Sequence, residues 1–285
     1  FMKSFSIGPK SLYLKINKQN HNIQTHLHGC LVYQDNPDIS DNDFKKEIAK
    51  YTKKNNLPPM TAGVRGMNMS KLLGFYTGGK NKKVTKVFKE ITKRTNDFSK
   101  FNKYADLIEN QLQKICFWNS VGWLKRDSQN PKAKEFNKLF NNFIFITLYK
   151  VLLNIGNETG QCQISYNEWR FFVVFSRSFK DSEDITKNIL NLRKEEEIYK
   201  IERYLNDSSK KIDERISDLF YLSSTLEYNK KIEEISLKTS KIKNTKKIIK
   251  NFEKQLQKCS VPFPLENGDR GKYEEMLYNP KPFWE

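Results

Sequence analysis

The stretch Leu73-Gly74-Phe75-Tyr76-Thr77-Gly78-Gly79-Lys80-Asn81-Lys82-Lys83-Val84-Thr85-Lys86-Val87 decides how this 285-residue chain is read. Aromatic and β-branched residues flank a Gly-Gly turn and a run of lysines, which predicts a short β-hairpin with a basic tip, its second strand covering Val84-Thr85-Lys86-Val87. Upstream, Thr61 can cap a helix that runs to about Leu73 despite Gly63 and Gly66. Before it, Ser40-Asp41-Asn42-Asp43 reads as an N-cap followed by an acid. Phe44, Ile48 and Tyr51 then recur at helical spacing until Asn55-Asn56-Leu57-Pro58-Pro59 ends the pattern. Helix, turn, helix and hairpin in this order make a winged helix-turn-helix.

A second segment repeats part of that order. Tyr104, Leu107, Ile108, Gln111-Leu112 and Ile115 predict a helix ending near Trp118. Phe136, Leu139, Phe140, Phe143, Ile144, Leu148, Val151 and Leu152 predict a long buried helix stopped by Gly156. Ser165-Tyr166-Asn167-Glu168 is a capping box that opens a short apolar helix from Trp169 to Phe175. After a polar turn at 177–181, Ser182-Glu183-Asp184 starts a helix with Ile185, Ile189 and Leu192 on one face, again a helix-turn-helix spacing. Residues 206–258 read as polar and helical, with Ile212, Ile216, Leu219 and Phe220 as an apolar stripe and a basic run over 238–250. The end of the chain is punctuated by Pro and irregular. The expected fold is mainly α with small β wings (α+β). Residues 1–97 carry an N-terminal segment and the first winged-helix module, and 98–205 a second helix-turn-helix module. Residues 206–260 form a basic helical region, and 261–285 a tail or shortened linker.

Fifty-one Lys and Arg against 33 Asp and Glu leave a formal charge of +18, which predicts a polyanionic partner, since basic side chains on phosphates release counterions. Twenty Phe and 13 Tyr within 37 % apolar residues suffice for a core and argue against general disorder. The longest apolar run, Phe143-Ile144-Phe145-Ile146-Thr147-Leu148, is too short to span a bilayer. No secretory signal is visible, and Cys30, Cys116, Cys162 and Cys259 show no paired spacing; a reduced cytoplasmic protein away from membranes is expected.

Double-stranded DNA is the expected partner. The second helix of a winged helix enters the major groove, and here it offers Arg65, Asn68, Ser70 and Lys71. Arg pairs with guanine O6 and N7, Asn with adenine N6 and N7, each such pair discriminating by about 1–3 kcal/mol. Lys80, Lys82 and Lys83 at the hairpin tip are expected on phosphate, which positions the module without reading bases. Asn167, Arg170, Arg177, Lys180 and Lys187 are the candidates of the second module. Trp118, Trp123 and Arg126 around Gly122 suit a DNA wedge or a partly buried core. Lys241-Ile242-Lys243 and Lys246-Lys247 suit phosphate tracking and a solvated helix face equally.

Catalytic patterns are missing from this picture. His26-Leu27-His28, read as a strand, would place two imidazoles on one face, as in the metal site of rolling-circle replication initiators, with Cys30 as a possible third ligand. The interval to Tyr51, the candidate nucleophile, is too short for that fold. A magnesium nuclease needs an Asp and a later Asp/Glu-x-Lys on adjacent strands. Asp38 has no such partner, and Glu47 with Lys50 lies in a helical pattern. No catalytic residue, metal ligand or cofactor is expected in this chain.

Residues 58–197 carry a wider pattern: Arg65, then Leu73-Gly74-Phe75 and Thr85, then 112–118, Asn142-Phe143-Ile144-Phe145 and Leu152-Leu153-Asn154-Ile155-Gly156. It continues through Ile164-Ser165 with Glu168, Phe171 and Phe172, and Asp184-Ile185-Thr186-Lys187-Asn188-Ile189 to Arg193-Lys194-Glu195. This order, over about half the chain, resembles the AlwI-like type IIS restriction endonucleases and their nicking relatives. The resemblance implies winged-helix domains that read an asymmetric site and a separate domain that cuts with Mg2+. This chain would be the recognition part or specificity subunit, partnered by a nuclease domain or subunit. It departs from the family in its first thirty residues and in having no catalytic domain after Trp284. The alternative is a plasmid-type replication initiator, which also sets two winged helices on DNA.

Overall fold

The computed structural model describes residues 21–59, 67–77, 83–115, 143–173, 176, 178–195, 219–258 and 270–282. The first region begins with α1 (His21–Asp35) and α2 (Asp41–Lys54). Ser40 caps α2 by accepting the Asp43 N–H at 3.1 Å, and Phe44, Ile48 and Thr52 turn inward at four-residue intervals. Ile23, Leu27, Cys30 and Tyr33 of α1 meet that face, where Tyr33 stacks on Phe44 with 4.5 Å between rings. After α3 (Asn68–Leu72) the chain turns at Gly74, whose φ of 67° is a left-handed conformation that glycine adopts without strain. Tyr76 and Val84 then form a single antiparallel bridge. Thr85 ends the hairpin and starts α4 (Lys86–Arg94): its hydroxyl donates to the Gly74 carbonyl at 2.6 Å and accepts the Val87 N–H at 3.2 Å. α5 (Ala105–Gln113) follows.

The second region is built around α6 (Ile144–Thr159), buried along most of its length. Next come β1 (Gln163–Ser165) and α7 (Tyr166–Glu168, continued by a π-helical turn, Trp169–Val173). A 3-10 turn (Phe179–Asp181) leads to α8 (Ser182–Lys194). β2 (Leu226–Asn229), β3 (Glu234–Leu237) and α9 (Ile242–Lys258) complete the unit. The sheet order is β1-β3-β2, all antiparallel, with Ile235 paired to Ile164 on one side and to Tyr228 on the other. Period-two alternation buries Leu226, Ile235 and Leu237. α6 packs against α8, α9 and the sheet, and Trp169 fills the centre, its ring 5.4 Å from Tyr166 and 4.9 Å from Phe220.

Two joints tie the regions. Buried Glu109 of α5 accepts hydrogen bonds from Tyr149 Oη, from Ser223 Oγ at 2.9 Å and from the Ser224 N–H at 2.6 Å. α10 (Arg270–Leu277) returns to the first region, where Gln111 Nε2 donates to the Leu73 carbonyl at 3.0 Å and to the Leu277 carbonyl at 2.6 Å.

Several expectations change. His26 and His28 lie on a helix, so they do not share a face. Val84-Thr85-Lys86-Val87 is not a full strand, because the Thr85 cap turns Lys86 and Val87 into α4. The long helix passes through Gly156 and ends at Gly160; a Cβ at Gly156 would lie 2.2 Å from Cys162 Sγ, so Gly156 serves a close approach and stops nothing. Residues 226–237, expected as helix, form a hairpin. The tail, expected to be irregular, contains α10. Phe136, Leu139, Phe140, Ile212, Ile216, Cys116, Cys259 and the Trp118–Arg126 wedge lie outside the described residues. Among the described residues, no helix is long and apolar enough to cross a membrane.

Candidate nucleic-acid interface

The helix-turn-helix of the second region is braced at both ends by capping boxes. At the first, the Ser165 N–H donates to Glu168 Oε2 at 2.7 Å and the Glu168 N–H to Ser165 Oγ at 3.1 Å. The same carboxylate receives Arg193 of α8 through Nε at 2.7 Å and Nη2 at 2.8 Å, a two-pronged ion pair that fixes α8 on α7. The hydrogen bonds to Glu168 hold the Arg193 guanidinium above its ordinary pKa. At the second, the Ser178 N–H donates to Asp181 Oδ2 at 3.0 Å, and Ser182 Oγ to the Phe179 carbonyl at 2.6 Å. Arg193 is therefore a brace.

α8 buries Ile185, Thr186 and Ile189 against α6, and its opposite side carries exposed Asp184, Lys187, Asn188, Asn191 and Lys194. These positions recur at three- and four-residue intervals, so they lie on one face. A helix with side chains is about 10–12 Å across, the width of the B-DNA major groove at about 12 Å. Two amides and two ammonium groups facing outward supply the donors and acceptors that base edges demand. Glu183 and Asp184 sit in the first turn, where they complement the helix dipole and would be repelled by phosphate, whereas residues 187–194 carry no acid. The hairpin flanks this helix. The Tyr166 N–H donates to the Glu233 carbonyl at 2.6 Å, and Asn229 Oδ1 accepts the Lys231 N–H at 3.1 Å, which holds the tip in place. The tip exposes Lys230, Lys231 and Ile232, the last 63 % exposed.

Of the candidates in the second module, Lys180 and Lys187 are exposed, and Asn167 is half-buried at a cleft lined also by Glu168, Arg193 and Ile232. Arg170 is corrected: it is buried, with its guanidinium 5.6 Å from the Tyr166 ring centre, and helps fill the core. Arg177 lies outside the described residues. Asn188, Asn191 and Lys194 were missed, although the inward spacing of Ile185, Ile189 and Leu192 already implies their outward face. Lys230 and Lys231 were missed because their segment reads as helical in propensity.

In the first module the expected groove helix is largely covered. Met67, Met69, Leu72 and Leu73 are buried, and so is Ser70, whose hydroxyl lies 3.0 Å from His26 Nδ1. Ser70 is thus corrected from base reader to an inter-helix polar contact. Lys71 is half-buried, with its ammonium 5.6 Å from the Tyr76 ring centre, a cation–π contact. Lys83 is exposed at the base of the hairpin. Arg65, Lys80, Lys82 and the Asn68 side chain lie outside the described residues. Burial drives the His26 pKa down to about 3 and raises the Cys30 thiol, while His28 stacks on Tyr51 at 3.8 Å. Neutral His26 with a protonated buried thiol is core chemistry. Among the described residues, no group of three or more His, Cys, Asp or Glu is placed to hold a metal ion. No protein-family model matches this chain, and no curated protein or solved structure matches it either.

Proposed function

We propose that the second region is a winged helix that binds double-stranded DNA with sequence preference, with α8 in the major groove and the 230–233 hairpin tip as the wing. The observation that carries this is the outward face of Lys187, Asn188, Asn191 and Lys194 on a scaffold ordered helix, strand, helix, turn, helix, hairpin, with sheet order β1-β3-β2. That order sets a wing beside the second helix of a helix-turn-helix. Asn188 and Asn191 are the base readers, and Lys230 and Lys231 contact phosphate. The role as recognition part of a restriction or nicking endonuclease rests on the family resemblance, with Mg2+ chemistry assigned to a partner nuclease domain.

Selection from random duplexes at physiological salt tests this reading. The wild type enriches a short motif. Asn188→Ala weakens binding to the enriched site by about 10- to 100-fold, as loss of one amide–adenine pair implies, and leaves binding to random duplex nearly unchanged. Equal losses on both duplexes would remove Asn188 from base reading. One short asymmetric motif fits the endonuclease role, whereas tandem direct repeats fit a plasmid-type initiator.

A further inference from the structure

We infer that the lysine face of α9 is a second DNA-contacting surface, one that grips the phosphate backbone of duplex flanking the groove occupied by α8. The inference rests on the reading of α8 just given and adds a contact surface beyond the helix-turn-helix and its wing.

α9 contains six Lys and one Glu. Thr245, Ile248, Ile249 and Phe252 are buried, whereas Lys243, Lys246, Lys247, Lys250 and Lys254 are all exposed. The single acid, Glu253, is engaged by Lys150 of α6 at 2.9 Å. Some exposed lysines elsewhere pair with acids on their own helix: Lys46 with Asp43, Lys50 with Glu47 and Lys93 with Glu90. Among the described residues, no ion pair involves any of the five lysines of the α9 face. Lys243 with Lys247, Lys246 with Lys250, and Lys250 with Lys254 are like charges one turn apart, which repel one another along the helix. A run of phosphates turns that repulsion into attraction.

Dimensions and position agree with such a partner. Lys243 to Lys254 spans roughly 16 Å at 1.5 Å per residue. One DNA strand presents a phosphate about every 3.4 Å, so the stripe matches about five of them. Phe252 packs edge-on against Phe179 at 4.7 Å, in the turn that leads into α8. The turn itself exposes Lys180. The buried side of α9 therefore meets the turn from which α8 begins, and its lysine side faces outward.

The test measures affinity for a random-sequence duplex against KCl concentration, from about 50 to 200 mM, where counterion release dominates. A variant carrying Lys243→Gln, Lys246→Gln, Lys247→Gln and Lys250→Gln is expected to flatten the log–log salt slope by about 3–4, since each lost phosphate contact removes about 0.9. A control carrying Lys45→Gln, Lys46→Gln, Lys53→Gln and Lys54→Gln on α2 removes the same net charge and changes the slope by less than about 1, because distant charges are screened. The four Lys→Arg changes on α9 retain the slope, and thermal melting checks that each variant is folded. An unchanged slope in the folded α9 variant overturns the inference, and that is the result expected if the face serves an acidic protein instead. An equal drop in the α2 control also overturns it, since the effect would then be one of net charge. If selection enriches a motif while the α9 variant keeps its slope, the reading of α8 survives and this inference alone fails. If no motif is enriched and the slope still falls, the reading of α8 fails and α9 stands as a polyanion surface.

Discussion

α3 and α8 each carry Lys and Asn, yet their surroundings differ. The five residues of α3 lie between buried Met67 and buried Leu73, with α1 against one side, and α10 reaches the Gly74 turn that follows. The thirteen residues of α8 are held from one side by α6 and α7, and Lys187, Asn188, Asn191 and Lys194 on the other side are exposed. The covers over α3 come from far away in sequence: His26 reaches Ser70 from α1, and Leu277 reaches the Gly74 turn from α10. A helix-turn-helix spacing therefore gives a shape, and whether that shape is an interface depends on what distant segments lay over it.

The sharpest way to break this contrast is Ser70→Arg. If α3 faced DNA, an added guanidinium there would tighten binding. Because Ser70 has no exposed surface, the substitution forces a charge and extra volume into the core, and we expect a loss of stability above about 3 kcal/mol, read from urea unfolding. A folded variant with higher DNA affinity would reverse the assignment of the two regions. Gly74→Ala probes the covering segment. Its φ of 67° costs an L-residue about 1–2 kcal/mol, and the new Cβ would sit 2.4 Å from the Leu277 carbonyl oxygen, so α10 has to move. We expect a lower melting temperature and faster amide exchange over residues 270–277. Unchanged protection there would mean that α10 does not depend on this contact.

The local signals in the sequence were sound where a few neighbouring residues determine the outcome. Ser40 and Ser165 cap their helices as read, and the inward faces of α2 and α8 follow the apolar spacing of Phe44 and Ile48 and of Ile185 and Ile189. The mainly α character with a small antiparallel sheet was legible for the same reason. What was not legible depends on distant partners. Ser70 looks like a surface donor until His26, 44 residues earlier, is brought beside it. β3 is stabilised by pairing with β1 across a long stretch of chain, which no local propensity reports. The outward face of α8 is the complement of its apolar stripe, but the polar residues nearest the turn include Lys187 and stop short of Asn188 and Asn191.

The smallest expected effect concerns how tightly the first region is closed. Lys114, just after α5, is fully buried, and its ammonium donates to Gln111 Oε1 at 2.8 Å and to the Asn279 carbonyl beyond α10, while its own carbonyl accepts from Tyr273 at 3.0 Å. Burial lowers its pKa from 10.5 to about 7. Between those values the unfolded chain holds a proton that the folded chain has released, so stability rises with pH from about 7 toward 10.5. For one proton the slope is at most about 1.4 kcal/mol per pH unit. His26, lowered from 6.5 to about 3, gives a slope of the same sign below this window, and Cys30, raised above its ordinary 9.0, gives the opposite sign above it. Urea unfolding between pH 7 and 8.5 therefore isolates Lys114. The wild type should gain stability across that range, and Lys114→Met should flatten the gain while leaving the slope below pH 6.5 intact. The parallel loss of pH dependence in amide exchange over 270–277 would place the effect at the α5–α10 joint. A wild type whose stability stays level from pH 7 to 8.5 would mean that Lys114 keeps its charge through solvent access, and that the first region is more open than its packing implies.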